Sequence, residues 1–120
     1  MVAEGYPSLT ESALMRDTIA PIAEMRGTVP VVDSGRRVVG VVTAGDLTRL
    51  MERDPGWAAR PVGDVMNRTP RTARMGELAS AALHRMEVGP GGVMALPVVD
   101  DAGVLRGVLH LHDLLRSGAV

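Results

Sequence analysis

Apolar and polar positions follow one another along this chain in blocks that recur. A short apolar run, Val29 to Val32, gives way to a polar turn, Asp33-Ser-Gly-Arg36, and then to a second β-branched run, Val38 to Val42. Two such runs around an Asp/Gly turn predict a hairpin of largely buried strands. Beyond Thr43-Ala-Gly-Asp46 the apolar spacing becomes helical, with Leu47, Leu50 and Met51 on one side. The same order returns downstream as Leu96 to Val99, Asp100-Asp-Ala-Gly103, Val104 to Leu109, and then Leu111, Leu114 and Leu115. Without a gap, Pro30 maps to Pro97, Asp33 to Asp100, Gly40 to Gly107, Asp46 to Asp113 and Leu47 to Leu114, each 67 positions on. The chain is therefore a tandem repeat of one supersecondary unit: strand, turn, strand, helix.

The segments between these blocks are less regular. Met1 to Pro7 reads as a lead-in or a first short strand. Ser8 to Met25 reads as a helix with Leu14, Ile19, Ile22 and Met25 on its apolar side and Ser8, Thr10 or Ser12 as a cap. Pro21 is expected to kink or end that helix, because it lacks an amide donor and its ring crowds the preceding turn. Five positions separate Met25 from Pro30 but eleven separate Met86 from Pro97, so the two copies are expected to differ at this edge. Asp54 to Pro61 reads as a linker, with Trp57 as a plug over the joint between repeats or a dimer contact. Val62 to Met66 opens the second copy as a strand or turn, and Thr69-Pro-Arg-Thr72 forms a bend. Gly76 to Glu87 makes an amphipathic helix on Leu78, Ala82, Leu83 and Met86, which Val88-Gly-Pro-Gly-Gly92 ends. These readings divide the chain into residues 1–60, the first repeat with its linker, and 61–120, the second.

Composition narrows the function classes. The chain has 120 residues, no Phe, one Tyr, one Trp and eight Met, so Val, Leu, Ala and Met must build the core. Thirteen basic against fourteen acidic side chains give a net charge of −1, and no global field draws the chain to nucleic acid or anionic lipid. No apolar run approaches a membrane span and no signal-like amino terminus is evident, so a cytoplasmic protein is expected. Zero cysteines exclude disulfides, thiolate metal sites and thiol nucleophiles.

Candidate chemistry concentrates where the second strand of each copy meets its helix. Thr43-Ala-Gly-Asp46 has the spacing of a capping box, which accounts for both residues without a ligand. His110-Leu-His-Asp113 keeps the acid and loses the hydroxyl. His110 then takes the place of Thr43, and histidine is a side chain whose charge changes near neutrality. His110, His112 and Asp113 are too local to supply the converging ligands a metal needs, so no metal site is expected. His84 reads as a surface residue. Among the arginines, Arg68 and Arg71 beside the bend are the candidates for a phosphate contact. There is no Walker loop, no dinucleotide glycine motif, no Ser nucleophile elbow, no His-Glu-x-x-His and no aromatic platform for single-stranded nucleic acid. No acid/base pair or oriented nucleophile can be assembled, and an enzyme acting alone is not expected.

Pro30-Val-Val-Asp33, the Gly40-Val-Val-Thr-Ala-Gly-Asp-Leu47 corner and Val62-Gly-Asp-Val-Met-Asn-Arg-Thr-Pro-Arg-Thr72 closely resemble cystathionine-β-synthase (CBS) domains. Gly107-Val-Leu-His-Leu-His-Asp-Leu-Leu-Arg116 more narrowly resembles the CBS pair that closes sugar-phosphate isomerases of the arabinose-5-phosphate type. The resemblance implies an α/β tandem pair of β-α-β-β-α repeats in pseudo-twofold arrangement. It also implies a regulatory module that requires no cofactor and binds AMP, ADP, ATP or a related ligand in the cleft between repeats. By the same resemblance Asp46 and Asp113 would hold ribose hydroxyls, with Thr43 or His110 beside them. Thr28, Val29 and Pro30, or Ala95, Leu96 and Pro97, would flank a base, with Thr72 contributing. A homodimer and a separate effector protein are implied as partners, without nucleic acid or membrane. The alternatives are a ligand-free dimerisation module, or the detached regulatory part of a sugar-phosphate isomerase binding a cytidine-linked sugar acid.

Overall fold

The structure is a computed structural model that describes residues 7–76, 81, 84 and 95–110. The described residues fall into two compact units, one of Pro7–Pro70 and one running from Arg71 onward.

In the first unit, strand β1 (Thr28–Val32) pairs antiparallel with β2 (Val38–Thr43), and β2 runs directly into helix α2 (Ala44–Arg53). All five residues of β1 are buried, as a strand covered on both faces requires. On the far side of β1, Leu9 forms a parallel bridge to Val31: its amide donates to the Pro30 carbonyl at 2.9 Å and its carbonyl accepts from the Val32 amide at 2.8 Å. On the outer side of β2, Val41 and Asn67 exchange amide–carbonyl bonds of 3.0 and 2.9 Å. Because the Val41 amide turns outward to Asn67, the Pro30–Val41 pair has no bond for proline to break. Gly40 permits this covering segment: a Cβ there would lie 2.7 Å from the Asn67 carbonyl oxygen and 2.9 Å from the Met66 sulfur.

Ser8 to Met25 is not one helix. Leu9 is held in the bridge to β1, Leu14 bridges Pro61, and helical structure begins with a 3-10 turn at Met15–Thr18 followed by α1 (Ile19–Glu24). Backbone partners offered by β1 and by Pro61 override the helical spacing. None of Ser8, Thr10 or Ser12 caps α1. Its N-cap is Thr18, which makes no side-chain cap and instead donates to the Met15 carbonyl at 2.6 Å. Nor does Pro21 end the helix: it lies in the first turn of α1, where its missing amide would have had no intrahelical partner. Met15, Thr18, Ile22 and Met25 face the core.

Trp57 sits half-buried in a 3-10 turn, Trp57–Ala59, that packs on Met15–Thr18. Asp54 organises the approach to it, accepting from the Gly56 amide at 2.8 Å and from Arg60 Nε at 2.7 Å. The Arg60 hydrogen bond, with the Gly56 amide next, lowers the Asp54 pKa below the usual carboxylate value. Val62 to Met66 contains a further 3-10 turn, Val62–Asp64. The Val62 and Gly63 amides donate to the carbonyls of Ala13 and Glu11, so this segment packs within the first unit.

The second unit repeats the plan. β3 (Ala73–Arg74) runs parallel to β4 (Ala95–Val99), which pairs antiparallel with β5 (Leu105–His110) in the order β3-β4-β5. Ala95, Leu96, Val98, Leu105 and Val108 are buried. Even the irregularity repeats: the register shifts after Val31–Gly40 in one hairpin and after Val98–Gly107 in the other. Ala81 and His84 are helical and exposed, as expected for His84. Gly76 is a turn residue with φ +80°, and the other positions of the helix expected from Gly76 to Glu87, the expected Gly-Pro loop and the expected terminal helix lie outside the described residues. No helix among the described residues is long and apolar enough to cross a membrane.

Both turns are built by one carboxylate. Asp33 Oδ1 accepts from the Gly35 and Arg37 amides at 2.9 Å, and Asp100 Oδ1 from the Ala102 and Val104 amides at 2.9 and 3.0 Å. The left-handed residue of the turn is Arg36 (φ 63°) in the first copy and Gly103 (φ 83°) in the second. Nothing lies within 4 Å of a Cβ built on Gly103. Gly103→Ala should therefore cost about 1–2 kcal/mol through backbone strain alone, and Arg36→Gly should be neutral or stabilise by up to about 1 kcal/mol. Urea unfolding of the two variants checks this, and a loss of stability in Arg36→Gly would refute the strain assignment.

The Val104 amide, followed by the Ala102 amide and Arg106, holds the Asp100 carboxyl below its usual pKa. A depressed folded-state pKa supplies stability that is present above the unfolded value and lost as pH falls through the folded one. The wild-type protein should thus lose stability below about pH 4, and Asp100→Ala should flatten that acid limb. Melting curves from pH 6 down to 2.5 provide the measurement.

Candidate functional site

The first hairpin ends where its strands hand over to α2. The Thr28–Thr43 pair closes the register, and the Ala44 amide donates to the Gly27 carbonyl at 2.8 Å, fixing the first turn of α2 against the start of β1. Gly27 can take this position because its φ is +104°, following Arg26 at 57°. The capping box read from the sequence is formed: the Asp46 amide donates to Thr43 Oγ1 at 3.2 Å, and the Thr43 amide donates to Asp46 Oδ2 at 2.9 Å. The other carboxylate oxygen, Oδ1, accepts from Arg49 Nη2 at 2.8 Å. Each oxygen keeps one further lone pair. The Asp46 side chain is 22% exposed and Arg49 68%, so the carboxylate is reachable and the guanidinium is held only by a surface ion pair.

Arg49 is the cation that sequence reasoning passed over. It lies across the start of α2, so close that a Cβ on Gly45 would sit 3.1 Å from its Nη1. The available signal was its i,i+3 spacing from Asp46 on a helix. Arg68, a candidate for phosphate, has its guanidinium turned to Glu11 and to the Gly63 carbonyl, the latter at 2.8 Å. Arg71 and Thr72 are half-buried just before β3, and each has an interaction of its own.

Val29 and Pro30 are fully buried within β1, and Leu96 and Pro97 within β4. Thr28 is buried beside the helix start, and Ala95 holds the corresponding place in the second hairpin. Ala95 pairs with His110 as Thr28 pairs with Thr43, so His110 stands where the 67-residue offset puts it. Asp113 and His112 lie outside the described residues. Among the described residues, no group of three His, Cys, Asp or Glu is placed to hold a metal ion.

Comparison with known proteins fits this duplicated plan. Residues 4–53 and 62–119 each match the CBS domain family. The arabinose 5-phosphate isomerase KdsD of Yersinia pestis is 33% identical over 115 residues, which are 95% of this chain and 34% of that protein. The chain thus spans about a third of the length of such curated relatives. Among solved structures, CBSX2 in complex with AMP superposes with a TM-score of 0.78 at 24% identity, covering 98% of this chain and 91% of that one. The CBS domain pair of MJ0100, in complex with 5′-methylthioadenosine and S-adenosyl-L-methionine, does so with a TM-score of 0.78 at 18% identity, covering 98% and 95%. Two matched repeats that together take in most of its length establish that the chain belongs to the CBS domain family, as a tandem pair.

Proposed function

We propose that this chain is a regulatory module that senses an adenosine nucleotide or a related ligand at its hairpin ends. The observation that carries the reading is the reachable Asp46 carboxylate, held in place by the Thr43 amide at the start of α2. A ribose presents two adjacent hydroxyl donors, and a carboxylate with a free lone pair on each oxygen can accept both. Thr43 adds a hydroxyl, Thr28, Val29 and Pro30 border the place for a base, and Arg49 supplies a cation for a phosphate. The corresponding positions of the second copy are Ala95, Leu96, Pro97, His110 and Asp113, with Thr72 and Arg71 preceding β3. The AMP and S-adenosylmethionine complexes of similar folds support the ligand class. The proposal extends to a cytoplasmic homodimer read by a separate effector protein, which a cysteine-free chain suits.

A second reading follows from the isomerase relatives. Identity of 33% over 95% of this chain favours a regulatory part that works with a sugar-phosphate isomerase domain, for which the resemblance in the sequence implies a cytidine-linked sugar acid as ligand. Thermal shift separates the two. AMP, ATP or S-adenosylmethionine at about 100 times its Kd should stabilise the protein by about 2.7 kcal/mol. Stabilisation by the cytidine-linked compound alone would favour the isomerase reading, and silence from every compound would leave a dimerisation module.

Calorimetry tests the residues. Asp46→Ala should weaken AMP at least about 10-fold, a loss of about 1.4 kcal/mol, and should also cost up to about 1 kcal/mol of stability as the returning bond of the capping box and the carboxylate at the helix start go, the Thr43 cap remaining. Arg49→Ala should weaken AMP but leave 5′-methylthioadenosine, which has no phosphate, unchanged. Equal loss for both ligands would show that Arg49 does not meet the phosphate.

A further inference from the structure

The two hairpins repeat in nearly everything except the chemistry at their ends. The Asp-built turn, the register shift and the buried central strand recur at matching positions. The closing pair does not: Thr28 opposite Thr43 becomes Ala95 opposite His110. Two hydroxyls are exchanged for a methyl and an imidazole. The exchange is complementary in size, since one strand gives up bulk where its neighbour gains a ring.

Exposure runs against size. Thr43, the smaller side chain, is half-buried, whereas His110 is only 4% exposed. Thr43 Oγ1 accepts from the Asp46 amide and still carries a hydroxyl hydrogen that a ligand oxygen can accept. His110 has an interaction of its own and offers almost no surface. A ligand seated against it would have to displace a buried, packed ring, which is unfavourable. The flanking positions cannot account for a difference between the copies, because Val29 and Leu96, and Pro30 and Pro97, are matched in burial.

We infer that the two copies are inequivalent as binding sites: the first holds the ribose-bearing ligand, and His110 opposite Ala95 closes the corresponding place in the second. His110 and Ala95 are then specificity-determining residues that set one ligand per chain. This inference rests on the nucleotide reading above.

The test is stoichiometry on the full chain, by isothermal titration and equilibrium dialysis with AMP. Wild type should bind one AMP per chain. The double variant Ala95→Thr/His110→Thr, which gives the second hairpin the closing pair of the first, should bind two. The reciprocal Thr28→Ala/Thr43→His should bind AMP at least about 10-fold more weakly, while Thr43→Ala, which loses the cap without gaining a ring, should retain more affinity than that double variant. Two AMP of like affinity on wild type would overturn the inference and leave the nucleotide reading intact. No binding of AMP, ATP or S-adenosylmethionine by wild type would overturn both. A folded Ala95→Thr/His110→Thr protein that still binds one would also overturn it. If that variant does not fold, the reciprocal one decides, and AMP affinity equal to wild type would defeat the closure.

Discussion

Each repeat is governed by a strand buried on both faces. β1 has five buried residues in succession, and burial of each valine contributes about 1.5–3 kcal/mol relative to exposure. A strand in that position cannot carry polar side chains in its middle without leaving them unpaired. The polar chemistry of the unit is therefore displaced to the hairpin's two ends, the Asp-built turn at one and the helix start at the other. Ala44 and Gly27 then determine how the second end is made, because the bond between them brings the first turn of α2 back beside β1. A hydroxyl, a carboxylate and a cation meet there as a result of backbone pairing.

The turn end shows how little the polar chemistry varies when it serves structure alone. Asp33 and Asp100 bind amides at the same two offsets, two and four residues on. The four residues after the aspartate all differ in type, yet the left-handed one is the third in both copies, Gly103 in the second and Arg36 in the first although Gly35 stands next to it. The carboxylate's two amide bonds fix which residue turns left-handed, and the glycine one position earlier cannot take over that role. At the helix end the opposite holds: the backbone register is kept while the side chains of the closing pair change.

Most of this architecture was legible in the sequence. The apolar runs around Asp33 and Asp100 gave both hairpins, and the spacing of Thr43 and Asp46 gave the capping box, because these signals are local and their physics acts within a few residues. Ser8 to Met25 misled because its competitors are distant in sequence: Leu9 bonds to β1 and Leu14 to Pro61, and no periodicity reports a backbone partner so far along the chain. Pro21 misled for a related reason, since its effect depends on where the helix starts, and that is set by the same distant pairings. At the candidate site Thr28, Thr43 and Asp46 were expected from the family resemblance, whereas Arg49 stands out only once the fold lays it across Gly45. Arg68 was singled out for charge and position, and its two partners, Glu11 and Gly63, become neighbours only through the fold.

In the proposed function Asp46 has two roles, and the geometry makes them compatible. Its bond from the Thr43 amide belongs to the helix cap and holds the carboxylate in orientation before any ligand arrives, so little ordering remains for binding to accomplish. Its bond from Arg49 is different in kind. An exposed ion pair of this sort is worth about 0–1 kcal/mol, so under that proposal a ribose hydroxyl would share or displace it at small cost and leave the guanidinium for a phosphate. One oxygen is thus anchored and the other is exchangeable. A sensor needs a ligand whose affinity differs between two arrangements of the protein. A carboxylate whose cation can leave while its amide stays provides two such arrangements within a single helical turn.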